Sequence, residues 1–311
     1  WYYRSVVRIE IKLAHGMRVK LVSFGLWCSS SNSIMLSGKI VTGLKRSSDS
    51  ATREWFTNYV KGTDWYGCKA PVIKQVVRDA IASQTTLAAA APLPEASELP
   101  KRKRCKTDEP EPCLVPHLAD AVVLLKHQEC DAKLAGMFLL QLHTEPQALA
   151  SVKVLEIIER EVLAPPGVID DWSTADWFSL KVLKTMWQSS VDPEVADGIL
   201  RFAVEPSNGL WHRRMGVVPF LDWYKHRLRL PLDFGHRLVD ACEANLLASP
   251  HERFTQTGIA WVLRYTLVQP EKDYAASMLY RHGGLWTKEA KKSLVEKLPT
   301  SSAMRNKILK L

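Results

Sequence analysis

The segment IDDWSTADWFSL, residues 169–180, has the spacing of a helix with two unusual side chains on one face. Trp172 and Asp176 are four residues apart, so one helical turn brings them to the same side. Indole side chains usually lie in the core, and Asp is a poor residue for a helix interior. Asp170 and Asp171 stand where the helix begins, and we expect them to cap it. The segment therefore predicts a helix that presents an aromatic ring beside a carboxylate.

Two later segments repeat the helical pattern at a nearly constant interval. LWHRRMGVVPFL (residues 210–221) carries Arg214, and RFTQTGIAWVLRYTL (residues 253–267) carries Trp261. These residues follow one another at roughly 40 to 47 positions, which is the repeat length of HEAT-type helical pairs. Residues one repeat apart lie on the same side of a solenoid. We therefore predict one concave groove that is lined by Trp172, Asp176, Arg214 and Trp261.

The remainder of the chain also favours helices. Gly is scarce, with 15 residues, and after residue 50 no alternating runs of Val, Ile and Thr are bounded by hairpin turns. Asp131, Asp192, Ser207 and Thr287 are candidate helix caps. The predicted fold is all-α, a HEAT/armadillo-like helical-repeat solenoid, with helices after residue 116 at about 117–128, 131–143, 146–162, 170–188, 192–204, 208–227, 232–247, 251–267, 271–281, 287–297 and 301–310.

Composition excludes several classes of protein. The hydrophobic content of 46% is enough for a sizeable core, and no run of 18 apolar residues predicts a membrane span. The six cysteines form no CxxC pair and no Cys/His ligand spacing. We therefore expect a reducing compartment, no metal and no cofactor.

The net charge of +9 is unevenly distributed. Residues 1–50 carry eight Lys and Arg against two acids, whereas residues 84–116 carry five of each. Only about one third of the net charge therefore belongs to the remaining residues. Binding of nucleic acid by the helical region must depend on where its charges lie.

The sequence predicts two accessory segments. Residues 1–50 form a basic, acid-poor leader, which is typical of an organelle transit peptide; the simpler interpretation is a fragment or translated upstream sequence, with Met17 or Met35 as the start. The helical domain is predicted over residues 51–311, and its first helical pair spans residues 50–83. This domain is interrupted by a disordered basic insert at residues 84–116, which holds six prolines.

The insert contains the cluster KRKR at residues 101–104. Short basic clusters of this kind are typical of nuclear localisation signals and of arms that tether a protein to DNA, but they also occur as solvated charge runs in loops. We expect a nuclear protein, with an organelle as the alternative if the leader is a transit peptide.

Several segments together resemble a known family. WSTAD, WHRRMGVV and FTQTGIAWVLR resemble, in this order, three signature segments of the DNA alkylation repair enzyme family, the AlkD-like HEAT-repeat DNA glycosylases. YGCKAPVIKQVVR (residues 66–78) is similar to the N-terminal GxKxP segment of that family. The resemblance runs from about residue 50 to about residue 298, apart from the insert.

The resemblance implies roles for individual residues. Trp172 and Trp261 would pack against deoxyribose and backbone at a lesion, Asp176 would act on the anomeric carbon and its water, and Arg214 would hold phosphate. It also implies work on the lesion without a closed base pocket. We further expect DNA binding by Arg213, Lys69, Lys181 and Arg264, although Arg213 points about 100° away from its neighbour Arg214. The expected partner is double-stranded DNA with alkylated bases, bound by a monomer away from any membrane.

Other interpretations of these residues stay open. A single Trp at helical spacing is more often a core residue, and Trp177, Trp187 and Trp223 are assigned to packing. Asp176 is also placed to pair with Lys181 or to cap a helix. His212, His226, His236 and His282 lack the spacing of a metal site or a triad and are expected at the surface or in packing.

The leading hypothesis is a glycosylase that releases cationic N3- or N7-alkylated purines. The alternatives are a non-catalytic protein that binds bent or branched DNA, and a HEAT-type scaffold for other proteins. A carboxylate in the groove argues against pure backbone binding, because phosphates repel it.

Overall fold

The computed structural model describes residues 6–12, 18–24, 36–90, 115 and 117–311, and it divides the chain into two compact units. The first unit, Trp1–Met35, contains the antiparallel strands β1 (Val6–Lys12) and β2 (Arg18–Phe24), with Val6 opposite Phe24. The second unit, Leu36–Leu311, is helical.

The boundary between the units corrects the predicted division at residue 50. The first helix of the second unit begins at Leu36, and it buries Leu36, Ile40 and Leu44 completely. These residues follow a helical period inside the stretch that the sequence predicted as a leader, so its last third belongs to the helical unit. A role of the leader in targeting stays a prediction.

The helices of the second unit have the following bounds: α1 (Leu36–Arg46), α2 (Ser50–Tyr59), α3 (Ala70–Ala90), α4 (Leu118–Leu125), α5 (Cys130–His143), α6 (Pro146–Leu149), α7 (Val152–Ile158), α8 (Trp172–Phe178), α9 (Lys184–Ser189), α10 (Pro193–Val204), α11 (Leu210–Val217), α12 (Phe234–Ala248), α13 (Arg253–Thr266), α14 (Lys272–Arg281), α15 (Lys288–Leu294) and α16 (Ala303–Lys310). A π-helical turn, Glu159–Leu163, continues α7, and another, Ser179–Leu183, joins α8 to α9. Short 3₁₀ turns occupy Val218–Phe220, Trp223–Arg229 and Gly283–Leu285.

The helices pack in two layers, as the predicted helical-repeat fold requires. In the layer that we call the front layer, α3, α5, α8, α11, α13 and α15 each contact the next. In the back layer, α7, α10, α12 and α14 do the same, and α10 and α12 also pack on α11 and α13. Stacking of this kind lets each helical pair bury its apolar side against its neighbours. The all-α helical-repeat fold is therefore confirmed for the second unit, whereas the strands β1 and β2 of the first unit were not predicted.

Two predicted helices are broken. The helix predicted at 146–162 is divided because Ser151 accepts a hydrogen bond from the backbone N–H of Val154 and starts α7. The helix predicted at 208–227 ends early because Pro219 has no backbone N–H to donate, and α11 stops at Val217. The two signals, a capping serine and an interior proline, are visible in the sequence.

The predicted helix caps have mixed outcomes. Asp192 and Thr287 accept hydrogen bonds from the first turns of α10 and α15, as expected. Ser207 does not cap α11, which begins after Gly209. Asp131 lies inside α5, where it instead accepts the backbone N–H groups of the loop at residues 66–68, which precedes α3.

The structure differs from the predicted insert at the start of that segment. Helix α3 continues to Ala90, so residues 84–90 are helical. The rest of the insert lies outside the described residues except for Val115, which is buried, and His117 follows it at the start of the next helix. The KRKR cluster is among the residues outside this description, and nuclear localisation stays a prediction.

Within the described residues, no helix combines the length and the apolar character that a membrane span needs. The same residues contain no group of three or more His, Cys, Asp or Glu side chains placed to hold a metal ion.

Candidate functional site

The start of α8 fixes the position of Trp172 and Asp176. Asp171 caps this helix, and its carboxylate accepts hydrogen bonds from the backbone N–H of Thr174, at 2.9 Å, and from the hydroxyl of Thr174. Burial raises the pKa of Asp171, while these hydrogen bonds act in the opposite direction. The prediction that Asp170 is also a cap is wrong, because its carboxylate lies toward the buried Lys133, 3.7 Å from Nζ.

Asp176 is held by Arg214 through two hydrogen bonds. Nε of Arg214 donates to Oδ1 at 2.7 Å, and Nη2 donates to Oδ2 at 2.9 Å. The side chain of Arg214 is 6% exposed and that of Asp176 is 15% exposed. Paired, parallel hydrogen bonds of this kind combine charge attraction with a fixed orientation. The structure thus joins two residues that the sequence placed one repeat apart.

The remaining nitrogen of the guanidinium is also engaged. Nη1 of Arg214 donates to the backbone carbonyl of Phe254 and lies 3.5 Å from the hydroxyl of Thr257, both on α13. The expectation that Arg214 lies open to hold phosphate therefore needs correction. Arg214 is buried behind Asp176, and it orients that carboxylate.

Gly258 makes room for this arrangement. A Cβ atom at Gly258 would lie 2.6 Å from Nη1 of Arg214. A Gly inside a helix costs about 1 kcal/mol relative to Ala, so its presence in α13 needs a compensating reason. No role was predicted for Gly258. The signal in the sequence is a Gly in the interior of a predicted helix, within the FTQTGIAW segment.

A second glycine, Gly216, allows a close approach between α11 and α10. A Cβ atom at Gly216 would clash with the backbone of Ala203 on α10. This close contact lets α11 pack directly on the back layer. The packing fixes the position of α11, from which the side chain of Arg214 extends to Asp176 on α8.

Trp172 is half-buried and lies against a row of aromatic rings on α2. Its ring meets that of Tyr59 edge to face, with centroids 5.4 Å apart and planes at 74°. Tyr59 in turn stacks on Trp55, with centroids 5.0 Å apart and planes at 15°. The contact of Tyr59 with Trp172 joins α2 to α8, and no regular spacing in the sequence predicts it.

Trp261 is half-buried on α13, two helices beyond α8 in the front layer. The guanidinium of Arg264 lies 5.9 Å from the centre of its ring and also pairs with Glu296. Trp261 therefore lies in the same layer as Asp176. The direct contact of Asp176 is with Arg214.

The other predicted DNA-binding cations fall into two groups. Arg213 donates to the carbonyl of Pro206 at 2.9 Å, and Arg264 pairs with Glu296, so both are engaged within the protein. Lys69 is exposed, and the ammonium of Lys181 lies 5.7 Å from the ring centre of Trp177. Among the described residues, neither lysine forms an ion pair.

A further aromatic and basic cluster lies at the C-terminal end of the front layer. Tyr224 and Tyr265 stack with centroids 6.2 Å apart. Lys225 lies over the first ring, and Lys297 and Arg264 lie over the second. Because interleaved rings and cations suit nucleic acid, this cluster extends the candidate surface beyond the predicted residues.

The residues that were assigned to packing are placed as expected. Trp187 and Trp223 are buried, and Trp177 packs edge-on against Phe138. His212 is buried against the ring of Phe202, with centroids 4.7 Å apart. Burial lowers the pKa of His212 to about 4, so its imidazole is neutral at pH 7.

Comparison with known proteins identifies the family. The family described as DNA alkylation repair enzyme matches residues 99–275, which is more than half of the chain and includes Trp172, Asp176, Arg214 and Trp261. The chain belongs to this family. No curated protein matches the chain. The aromatic pair of Trp55 and Tyr59 lies outside the matched residues.

Proposed function

We propose that this protein is a DNA glycosylase that hydrolyses the N-glycosidic bond of N3- or N7-alkylated purines in duplex DNA. The observation that carries the proposal is the carboxylate of Asp176, which Arg214 holds in one orientation and which lies one helical turn from the indole of Trp172. Membership of a DNA alkylation repair family supports the substrate class.

The proposed chemistry matches the charges of the site. A purine alkylated at N3 or N7 is a cation, and cleavage of its glycosidic bond passes through an oxocarbenium-like state. The base departs as a neutral molecule, so a general acid is not needed and one carboxylate suffices. Asp176 stabilises the positive charge on the sugar and orients the attacking water.

Arg214 is compatible with this role of Asp176. A carboxylate has about four lone-pair sites, and the two hydrogen bonds from Arg214 occupy two of them. The remaining sites can accept a water molecule.

The half-buried indoles of Trp172 and Trp261 supply the walls of the site. Indole faces attract cations by about 0.5 to 2 kcal/mol, depending on how dry the contact is. Lys69 and Lys181 supply charge for the phosphates. Duplex DNA is thus the proposed partner, and the front layer is the proposed binding surface.

One observation favours a second candidate function. The ion pair of Asp176 with Arg214 is mostly buried, as a purely structural ion pair would be. The protein would then be a non-catalytic member of the family that binds damaged or bent DNA through phosphate contacts. Such binding would weaken steeply with salt but would release no base.

Base release from methylated duplex DNA distinguishes the two candidates. We expect the wild-type protein to release 7-methylguanine or 3-methyladenine, measured by chromatography of the free bases. Asp176→Asn should lower the rate on the order of 10²- to 10³-fold, because it removes the charge that stabilises the transition state. Glu243→Gln in the back layer is the matched control and should retain the wild-type rate.

One outcome would contradict the role of Asp176, and another would contradict the glycosylase activity itself. Equal rates for wild type and Asp176→Asn would remove Asp176 from the chemistry. Salt-dependent binding of methylated DNA without base release would favour the non-catalytic candidate.

A further inference from the structure

Helix α2 exposes a stacked pair of aromatic rings. Trp55 and Tyr59 are each 57% exposed, and α2 has no fully buried residue. Their rings are nearly parallel, at 15°, with centroids 5.0 Å apart. Residues four apart on a helix meet readily, so the stack itself follows from the helical spacing. The exposure of both rings does not follow from that spacing.

The pair is firmly anchored on its inner side. Phe56, next to Trp55, stacks on Trp65 with centroids 4.4 Å apart, and the indole N–H of Trp65 donates to the hydroxyl of Thr63 at 2.8 Å. Asp49 caps the helix by accepting the backbone N–H of Thr52. The helix is therefore fixed where its aromatic pair is held out to solvent.

The pair is continuous with the proposed site. Tyr59 meets Trp172 edge to face, and Trp172 lies one helical turn before Asp176 on α8. The rings of Trp55, Tyr59 and Trp172 thus form a row that runs from solvent to α8, the helix that carries Asp176. The outer face of Trp55 is the open end of this row.

We propose that the outer face of Trp55 stacks on an unpaired nucleobase at or beside the lesion. The inference rests on the proposed DNA function, and it adds a base-binding platform to it. Every base has a flat π-face, so an exposed indole binds bases with little sequence preference. Because paired bases already stack on their neighbours inside the duplex, only an unpaired base can use the platform.

Three variants of Trp55 test the platform. Trp55→Phe keeps an aromatic face, Trp55→Leu keeps only apolar volume, and Trp55→Ala removes both. The probes are two fluorescently labelled, unmodified duplexes of the same sequence, of which one is fully paired and the other has a single unpaired nucleotide. Fluorescence anisotropy measures the Kd of each protein for each duplex.

We expect the alanine and leucine variants to bind the duplex with the unpaired nucleotide roughly tenfold more weakly. Trp55→Phe should remain within about threefold of wild type, and affinity for the paired duplex should change by less than about twofold in all three variants, because paired bases cannot reach the platform. Leu247→Ala, at an exposed position of the back-layer helix α12, is the matched control and should leave both affinities unchanged.

Three results would overturn the platform. Binding by Trp55→Leu as tight as that by Trp55→Phe would show a general apolar contact. Equal losses on both duplexes would show contact with the backbone. Unchanged affinities would leave the pair with no role beyond stabilising α2. Circular dichroism of each variant verifies that the overall helical content is unchanged.

The same experiment is independent of catalysis. The probes carry no alkylated base, so the expected pattern can hold even if the wild-type protein releases no 7-methylguanine. In that case the glycosylase would fail and the platform would stand. If the wild type releases base and all Trp55 variants bind both duplexes as tightly as the wild type, the glycosylase would stand and the platform would fail.

Discussion

Two carboxylate–arginine pairs in this chain have the same sequence separation and different surroundings. Arg214 lies 38 residues after Asp176, and Arg281 lies 38 residues after Glu243. In both pairs the guanidinium contacts both carboxylate oxygens, at 2.7 and 2.9 Å in the front layer and at 3.0 and 3.1 Å in the back layer. The first pair is nearly buried, whereas the side chain of Arg281 is 51% exposed.

The two pairs show which features follow from the helical repeat and which are specific to the candidate site. A helical repeat of this length places residues on successive helices side by side in either layer, so ion pairs form in both. Only the front-layer pair of the two has Trp172 on the same helix and Gly258 against its guanidinium. In the back layer, Glu243 is partly buried, yet hydrogen bonds from His282 and Arg281 lower its pKa. Repeat spacing thus predicts contact, and the surroundings of the pair indicate function.

The largest expected difference concerns stability. Arg214→Leu leaves the carboxylate of Asp176 without its partner in a mostly buried place, and we expect a loss of about 3 kcal/mol in the free energy of unfolding. Arg281→Leu removes a partner from a half-exposed pair and should cost less than about 1 kcal/mol. Urea denaturation of both variants at pH 7.5 measures the two losses.

A third variant distinguishes orientation from charge. Arg214→Lys keeps the positive charge but cannot form the paired hydrogen bonds, so base release should fall about tenfold with a smaller loss of stability than in Arg214→Leu. Similar losses of stability for Arg214→Leu and Arg281→Leu would remove the distinction between the two layers.

The second prediction tests the space around the guanidinium. Gly258→Ala adds a methyl group 2.6 Å from Nη1 of Arg214, so the guanidinium must shift and release the orientation of Asp176. We expect base release to fall about tenfold and stability to fall by about 1 to 2 kcal/mol. Gly284→Ala is the matched control, because a Cβ atom there meets no atom within 4 Å. Release at the wild-type rate by Gly258→Ala would show that the position of Arg214 is not critical.

Much of the fold follows from local signals in the sequence. Helical spacing and caps such as Asp192 and Thr287 are properties of neighbouring residues, and they predicted most of the helices after residue 116. The segment that forms α1 was missed because the basic composition of residues 1–50 outweighed the helical period of Leu36, Ile40 and Leu44. Composition describes a whole segment, whereas burial is decided residue by residue.

The site was predicted less completely. The repeat interval brought Asp176 and Arg214 together, but it gave no information on burial, and the family resemblance assigned the arginine to phosphate. Two opposite charges one repeat apart already favour an ion pair between helices, and this signal was available. The contact of Tyr59 with Trp172 joins distant parts of the chain through an edge-to-face arrangement that depends on three-dimensional packing.

The smallest expected effect concerns the cations of the front layer. Some of these cations form an ion pair within the protein, and others do not. Lys181 has no ion pair among the described residues, so Lys181→Gln should remove about one phosphate contact and reduce the slope of log Kd against log salt by about 1. Arg264 is already paired with Glu296, so Arg264→Gln should change the slope by much less. Measurement of Kd for a paired duplex between about 50 and 200 mM salt gives both slopes. A larger change for Arg264→Gln than for Lys181→Gln would mean that DNA displaces Glu296, and the pairing of a cation within the free protein would then not indicate whether it binds DNA.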